Sequence, residues 1–178
     1  VKEGGDQAVK NYTLKFDGSL PEYYEVPRDV INDAMTEADP AFVDAMLNAI
    51  ENVRDFHQRQ VQEGFIHALP NGVILGQRVR GLERVGLYVP GGTAPLFSTV
   101  LMLAVPARLA GCHEIVMCTP PGKEGKIAPA ILYAARETGI DRIFKLGGVQ
   151  AIGAMAFGTE SVPQVYKIFG PGNRYVMA

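Results

Sequence analysis

Hydrophobic residues recur at three- and four-residue steps through the first third of the chain, which is the spacing of one face of an α-helix. We predict a helix over residues 6–16 that ends at Asp17-Gly18, and a short second helix that finishes before Pro40. The longest helix begins at Pro40, with Asp39 as its N-cap, and its apolar positions recur until Gly64.

Shorter apolar runs follow, and their spacing changes from helical to that of strands. Residues 65–69 and 73–79 are joined by Pro70-Asn71-Gly72, a turn sequence that is typical of a β-hairpin. From Val85 onward four strand segments alternate with three helices. We predict the strands at residues 85–89, 114–118, 142–146 and 165–169, and the helices at residues 95–109, 126–138 and 149–157. Such alternation favours parallel strands with helical crossovers.

The predicted fold class is α/β, with a helical N-terminal segment followed by an incomplete doubly wound, mostly parallel (Rossmann-like) sheet. A domain boundary near residue 84 would assign residues 1–84, helices plus hairpin, to a first α/β domain completed by later sequence. Residues 85–178 would form a Rossmann-like domain truncated at its C-terminal end. The chain opens without Met and closes on a segment with the pattern of a beginning helix, so we expect a fragment of a longer protein.

Composition and charge exclude several classes of partner. The formal net charge is -2, and acidic and basic residues are interspersed, which provides no basic stripe for nucleic acid or an anionic membrane. No apolar run is long enough to cross a bilayer, and the first residues lack the hydrophobic segment of a signal peptide. We therefore expect a cytoplasmic protein that binds neither nucleic acid nor membrane.

Three glycine-rich turns follow strands of the predicted sheet, namely Pro90-Gly91-Gly92, Gly147-Gly148 and Gly170-Pro171-Gly172. In open α/β sheets ligands bind beyond the carboxyl ends of the strands, so we expect these turns to converge. Glycine lets a ligand approach the backbone closely, and the N-terminus of a helix favours an anionic group. The sequence therefore predicts a pocket lined by backbone, organised around residues 85–100.

Polar side chains at these turns are the candidate ligand contacts. Tyr88 offers a ring and a hydroxyl, while Gln150 and Asn173 offer both hydrogen-bond donors and acceptors. Ser98 either caps the following helix or touches a substrate. The GxGxxG and Walker A motifs are absent, so any nucleotide would bind in a nonstandard way. No general base has a partner in view, and we predict no catalytic residue.

Three longer motifs resemble the histidinol dehydrogenase family. They are VGLYVPGGTAPLFSTVLMLAVPARLAGC from Val85, GGVQAIGAMAFGTESVP from Gly147 and KIFGPGN from Lys167. GDQAVKNYTLKFDG and FHQRQ nearer the N-terminus extend the resemblance over essentially the whole chain. The resemblance implies an NAD-dependent, zinc-requiring homodimer that oxidises L-histidinol to L-histidine through the aldehyde, in histidine biosynthesis.

The same resemblance implies roles for individual residues. It assigns NAD contacts to Tyr88, Gln150 and Asn173, and a candidate substrate-side contact to Ser98. In that family the zinc ligands and an acid–base Glu-His pair follow the FGPGN motif, and the chain ends at Ala178 soon after it. None of the three histidines, His57, His67 and His113, matches those ligands. We expect no catalytic or metal-binding residue within this chain, and a fragment that is inactive alone.

Two other functions stay open. An NAD-dependent aldehyde or semialdehyde dehydrogenase of another substrate would need a reactive cysteine near the nicotinamide, whereas Cys112 and Cys118 lie in apolar strand context. A noncatalytic nucleotide-binding or interaction module would dock through the apolar stripe of the long helix, from Phe42 to Phe56. An exposed stripe would favour that module, and a stripe buried against the sheet would count against it.

Overall fold

The structure of the protein is a computed structural model, and it describes residues 1–34, 39–91, 95–122 and 124–172. Its elements in chain order are α1 Gly5–Asp17, α2 Arg28–Asp33, α3 Pro40–Gln58, β1 Phe65–Ala68, β2 Ile74–Gln77, β3 Arg84–Tyr88, α4 Phe97–Leu109, β4 Glu114–Thr119, α5 Pro129–Glu137, β5 Arg142–Lys145, α6 Gly148–Phe157 and β6 Lys167–Phe169. The predicted α/β class is confirmed. Within the described residues, no helix is both long enough and apolar enough to cross a membrane.

Strands β3 to β6 form one parallel sheet in the order β5-β4-β3-β6. The chain winds outward from β3 through β4 to β5, and then returns to the free side of β3, which confirms the doubly wound arrangement. Gly86 at the middle of β3 pairs with Val116 of β4 on one side and with Ile168 of β6 on the other. The winding therefore reverses between β3 and β6, and open α/β sheets bind ligands at such a point.

Side chains of the central strands alternate between two apolar cores, one on each face of the sheet. Leu87, Met117 and Ile143 pack with helices α3, α4 and α5 on one face. Val116 and Phe144 pack on the other face, with helices α1 and α6. Parallel strands covered on both faces read as continuous apolar runs, which explains why their sequences are so uniformly hydrophobic.

The N-terminal helices contribute to both cores. Met46 and Ile50 of α3 are buried in the first core, and Val9 of α1 is buried in the second. The N-cap of α3 is as predicted, because the Asp39 carboxylate accepts a hydrogen bond of 2.9 Å from the Ala41 N–H. The division of the chain at residue 84 stays a prediction.

The predicted hairpin is present as β1 and β2, which pair in antiparallel register. Gly72 has a φ of +86° at its turn, and the Asn71 side chain accepts a hydrogen bond from the Val73 N–H. All eight strand residues are exposed, and Ile66 is 85% exposed. The hairpin thus projects from the sheet and takes no part in either core.

Candidate functional site

The glycine-rich turns converge at the carboxyl edge of the sheet, as the sequence predicts. Gly91 and Gly147 lie on either side of Pro120: a Cβ added to Gly91 would lie 2.6 Å from Pro120 Cγ, and one on Gly147 would lie 2.7 Å from Pro120 Cβ. A Cβ on Gly170 would lie 2.4 Å from the Tyr88 carbonyl oxygen. These contacts bring the segments that follow β3, β4, β5 and β6 together at one edge.

These contacts also explain why glycine is needed at two of the positions, and this reason could not be seen in the sequence. We expected glycine at these turns to let a ligand approach the backbone. At Gly91 and Gly147 the space that a Cβ would occupy is taken by the Pro120 ring. Packing between turns therefore suffices to require glycine at both positions.

Tyr88 is the last residue of β3, next to the point where the winding reverses, and only 5% of it is exposed. Its hydroxyl oxygen accepts a hydrogen bond of 3.0 Å from the N–H of Gly148, the first residue of α6. Burial raises the pKa of the Tyr88 hydroxyl, although the hydrogen bond from Gly148 opposes this effect. The hydroxyl therefore keeps its proton at neutral pH and can donate a hydrogen bond to a ligand.

Gln150 lies in the first turn of α6, and only 1% of it is exposed. Its amide nitrogen, Nε2, donates a hydrogen bond of 3.0 Å to the Asp17 carboxylate at the end of α1. Its amide oxygen, Oε1, is buried and has no hydrogen-bond partner among the described residues. Gln150 thus faces inward and holds an unused acceptor beside the Tyr88–Gly148 contact.

Asp17 is the residue of this cluster that the sequence analysis missed as a site residue. The sequence predicts for it only a role in the turn that ends α1. Asp17 and Gln150 are 133 residues apart, so no local spacing links them. Burial raises the pKa of the Asp17 carboxyl group above its ordinary value, and the hydrogen bond from Gln150 opposes only part of this rise.

Asn173 and Ser98 are the other two candidate contacts. Asn173 lies outside the described residues, and its place in the site stays a prediction. Ser98 is exposed in the first turn of α4, where no side chain within the described residues caps the helix. Capping therefore does not account for Ser98, which is an exposed residue on the helix that follows the β3 turn.

Metal or thiol chemistry would depend on the histidine and cysteine side chains, together with carboxylates near them. Across the residues described, no group of three His, Cys, Asp or Glu side chains could hold a metal ion. His57 contacts Gln60, with 2.8 Å between Nδ1 and Oε1, and His67 is exposed on β1. Cys112 and Cys118, both in the described part of the chain, are buried and form no disulfide. Burial raises the pKa of the Cys118 thiol well above its usual range, so this residue is no thiolate nucleophile.

The apolar stripe of α3 is largely buried against the rest of the fold. Met46 and Ile50 are buried in the first core, and Phe42 packs edge to face on Phe97 of α4, with ring centroids 5.6 Å apart. Only the end of the stripe is open, where Phe56 is exposed. This burial counts against the docking role that an interaction module would need.

Comparison with known proteins gives the same family over the whole chain. The family model for histidinol dehydrogenase matches residues 1–178. A histidinol dehydrogenase of Bacteroides fragilis is 53% identical over 178 residues, covering 100% of this chain and 42% of that protein. One from Clostridium acetobutylicum is 48% identical over 176 residues, covering 99% of this chain and 41% of that protein.

A solved structure agrees in fold as well as in sequence. The crystal structure of histidinol dehydrogenase from Elizabethkingia anophelis matches 96% of this chain with a TM-score of 0.89 and 48% identity, and the match covers 40% of that structure's chain. The chain thus spans about two fifths of the length of the relatives it matches. On the family model and these identities, the chain belongs to the histidinol dehydrogenase family.

Proposed function

We propose that this chain forms the cofactor-binding part of an NAD-dependent, zinc-requiring histidinol dehydrogenase that oxidises L-histidinol to L-histidine through the aldehyde. One observation beyond family membership supports it. Where the winding of the sheet reverses, the buried Tyr88 hydroxyl meets the first turn of α6, and the unpaired Gln150 oxygen lies beside it. A protonated hydroxyl, a helix N-terminus and a free acceptor suit a ligand that carries phosphates, ribose hydroxyls and an amide.

The residues have separate roles in this proposal. NAD, when bound, would supply the hydride acceptor for each of the two oxidations, first of the alcohol and then of the hydrated aldehyde, so that one histidinol consumes two NAD. Tyr88 donates a hydrogen bond from its hydroxyl, and the first turn of α6 attracts negative charge through its N–H groups and the helix dipole. Gln150 and Asn173 supply amide contacts to NAD, and Ser98 contacts the substrate. The buried strands behind Tyr88 keep water from one wall of the site.

Among the described residues, no group of three His, Cys, Asp or Glu side chains could hold a metal ion. We propose that the zinc ligands and the acid–base residues lie outside residues 1–178. The same proposal includes a cytoplasmic homodimer, a first domain completed by sequence beyond this chain, and no activity for residues 1–178 alone.

The assay that tests the function follows NADH formation from L-histidinol and NAD in the presence of zinc. We expect turnover by the complete natural protein and none by residues 1–178 alone. Absence of NADH with the complete protein would overturn the proposed function. Turnover by residues 1–178 would instead contradict the assignment of catalysis to residues outside this chain. Faster oxidation of an unrelated aldehyde than of L-histidinol would favour the alternative dehydrogenase.

Removal of the Tyr88 hydroxyl tests its proposed contact with NAD. We expect Tyr88→Phe to weaken NAD binding to the complete protein roughly fivefold, because the hydrogen bond from the hydroxyl to NAD contributes about 1 kcal/mol. Isothermal titration calorimetry with NAD measures the change. Tyr166→Phe is the matched control, since Tyr166 is exposed and its hydroxyl donates to Glu83 instead. Equal affinities for both variants and the unmodified protein would contradict the assignment.

A further inference from the structure

The contact between Asp17 and Gln150 joins an N-terminal helix to the candidate site. Asp17 is the last residue of α1, and the next residue, Gly18, has a φ of +76° and ends the helix with its N–H bonded to the Leu14 carbonyl. Helix α1 packs with α6 in the second core, through the buried side chain of Val9. The fold therefore carries the Asp17 carboxylate to the first turn of α6, where it meets the Gln150 amide.

This contact decides which end of the Gln150 amide is free. An ionised carboxylate only accepts hydrogen bonds, and the amide donates only from Nε2. Nε2 therefore turns towards Asp17, and Oε1 turns the other way, into the first turn of α6. A Cβ added to Gly148 would lie 3.1 Å from Oε1, so the oxygen lies against the residue that contacts the Tyr88 hydroxyl.

The free end of the Gln150 amide is its oxygen, a hydrogen-bond acceptor that lacks a donor. Gln150 Oε1 is buried, and no described residue donates to it. A buried acceptor without a donor is unfavourable, because it has lost its hydrogen bonds to water without replacing them. A ligand group with a hydrogen-bond donor would remove that penalty, whereas a phosphate oxygen, itself an acceptor, would not.

We propose that Asp17 is a positioning residue for NAD: it holds the Gln150 amide nitrogen so that Oε1 accepts a hydrogen bond from a ribose hydroxyl or from the carboxamide N–H of the cofactor. The inference rests on the proposed function, and it goes further by naming a residue behind the site and the kind of cofactor group that the site selects. Asp17 does not touch the cofactor in this arrangement. Its effect reaches NAD only through Gln150.

Two substitutions at Asp17 in the complete natural protein separate positioning from loss of the side chain. We expect Asp17→Ala to weaken NAD binding about five- to tenfold, measured by calorimetry without histidinol, since the Gln150 side chain is then no longer held in place before NAD binds. Asp17→Asn keeps an oxygen that can accept from Nε2, and we expect it to restore affinity to within about twofold of the unmodified protein. Asp55→Ala, on the exposed side of α3, is the matched control and should leave affinity unchanged.

The dependence on Gln150 is the second measurement. In a Gln150→Ala background, Asp17→Ala should cause no further loss of NAD affinity, because the side chain that it positions is gone. An equal loss with and without Gln150, or failure of Asp17→Asn to restore binding, would overturn the inference, and so would unchanged affinity in Asp17→Ala. If the unmodified protein binds no NAD, the proposed function fails and this inference with it. If it binds NAD and Asp17→Ala binds equally well, only the inference fails.

Discussion

Gly170→Ala is expected to lower the free energy of unfolding by about 3 kcal/mol and to weaken NAD binding in the same protein. Gly170 directly follows β6, and a Cβ there would lie 2.4 Å from the Tyr88 carbonyl oxygen and 2.9 Å from Tyr88 Cβ. A carbonyl oxygen of a buried strand cannot rotate away as a long side chain can. The ends of β3 and β6 must therefore move apart, and the part of this movement that β3 takes up displaces the Tyr88 hydroxyl from the Gly148 N–H.

Urea unfolding and an NAD titration of the same samples measure the two effects. Gly122→Ala is the matched control, because its nearest neighbour would be the Lys126 carbonyl oxygen at an ordinary 3.4 Å. We expect this control to change stability by less than about 1 kcal/mol. Gly170→Ala protein that is as stable as the control would show that β6 tolerates the displacement, and the expectation would be wrong.

The fold could be predicted to the level of its elements because their signals are local. Apolar runs mark the buried parallel strands, and Asp39 with Pro40 marks the start of α3. Some helix bounds were predicted too wide, for equally local reasons. The predicted helix over residues 126–138 begins only at Pro129, since the proline keeps Ala128 in an extended conformation, with a ψ of 132°.

The C-terminal bound of α3 shows a different limit. The recurring apolar positions of α3 predict a helix until Gly64, although the last residue of that apolar pattern is Phe56. The helix ends at Gln58, and the residues that follow are exposed. Helices are stabilised mainly by packing an apolar face, so a polar continuation without a surface to cover does not extend the helix.

The candidate site could be predicted in part. The sequence predicts which residues lie at the ends of strands, but it does not predict which distant residues form hydrogen bonds with them. Tyr88 ends a strand and Gln150 lies in the first turn of a helix, so the strand and helix pattern is enough to place both at the carboxyl edge of the sheet. The inward orientation of Gln150 had a signal in the sequence as well: Ala151, Ala154 and Met155, on the same side of α6, are apolar, and the structure buries them. A polar residue on a buried stripe needs a partner, but nothing local identifies Asp17, which only the packing of α1 on α6 brings near.

Gly91→Ala is expected to lower the free energy of unfolding by about 1–3 kcal/mol, and Pro120→Ala is expected to abolish most of that loss. The added Cβ would lie 2.6 Å from Pro120 Cγ, which the rigid ring cannot move out of the way. Alanine at residue 120 lacks that atom, and the nearest remaining atom would be its Cβ at 3.6 Å, an ordinary contact. Packing therefore predicts strong coupling between the two positions.

Approach of a ligand to the backbone predicts a different pattern for the same four proteins. If Gly91 were glycine only to admit NAD, Gly91→Ala would leave stability almost unchanged and would weaken NAD binding whether residue 120 is proline or alanine. Urea unfolding and NAD titration of the unmodified protein, both single variants and the double variant separate the two explanations. Additive losses of stability would contradict the packing explanation. Because glycine-rich turns at the carboxyl edge of a sheet serve both purposes, only the coupling with Pro120 shows which one Gly91 serves here.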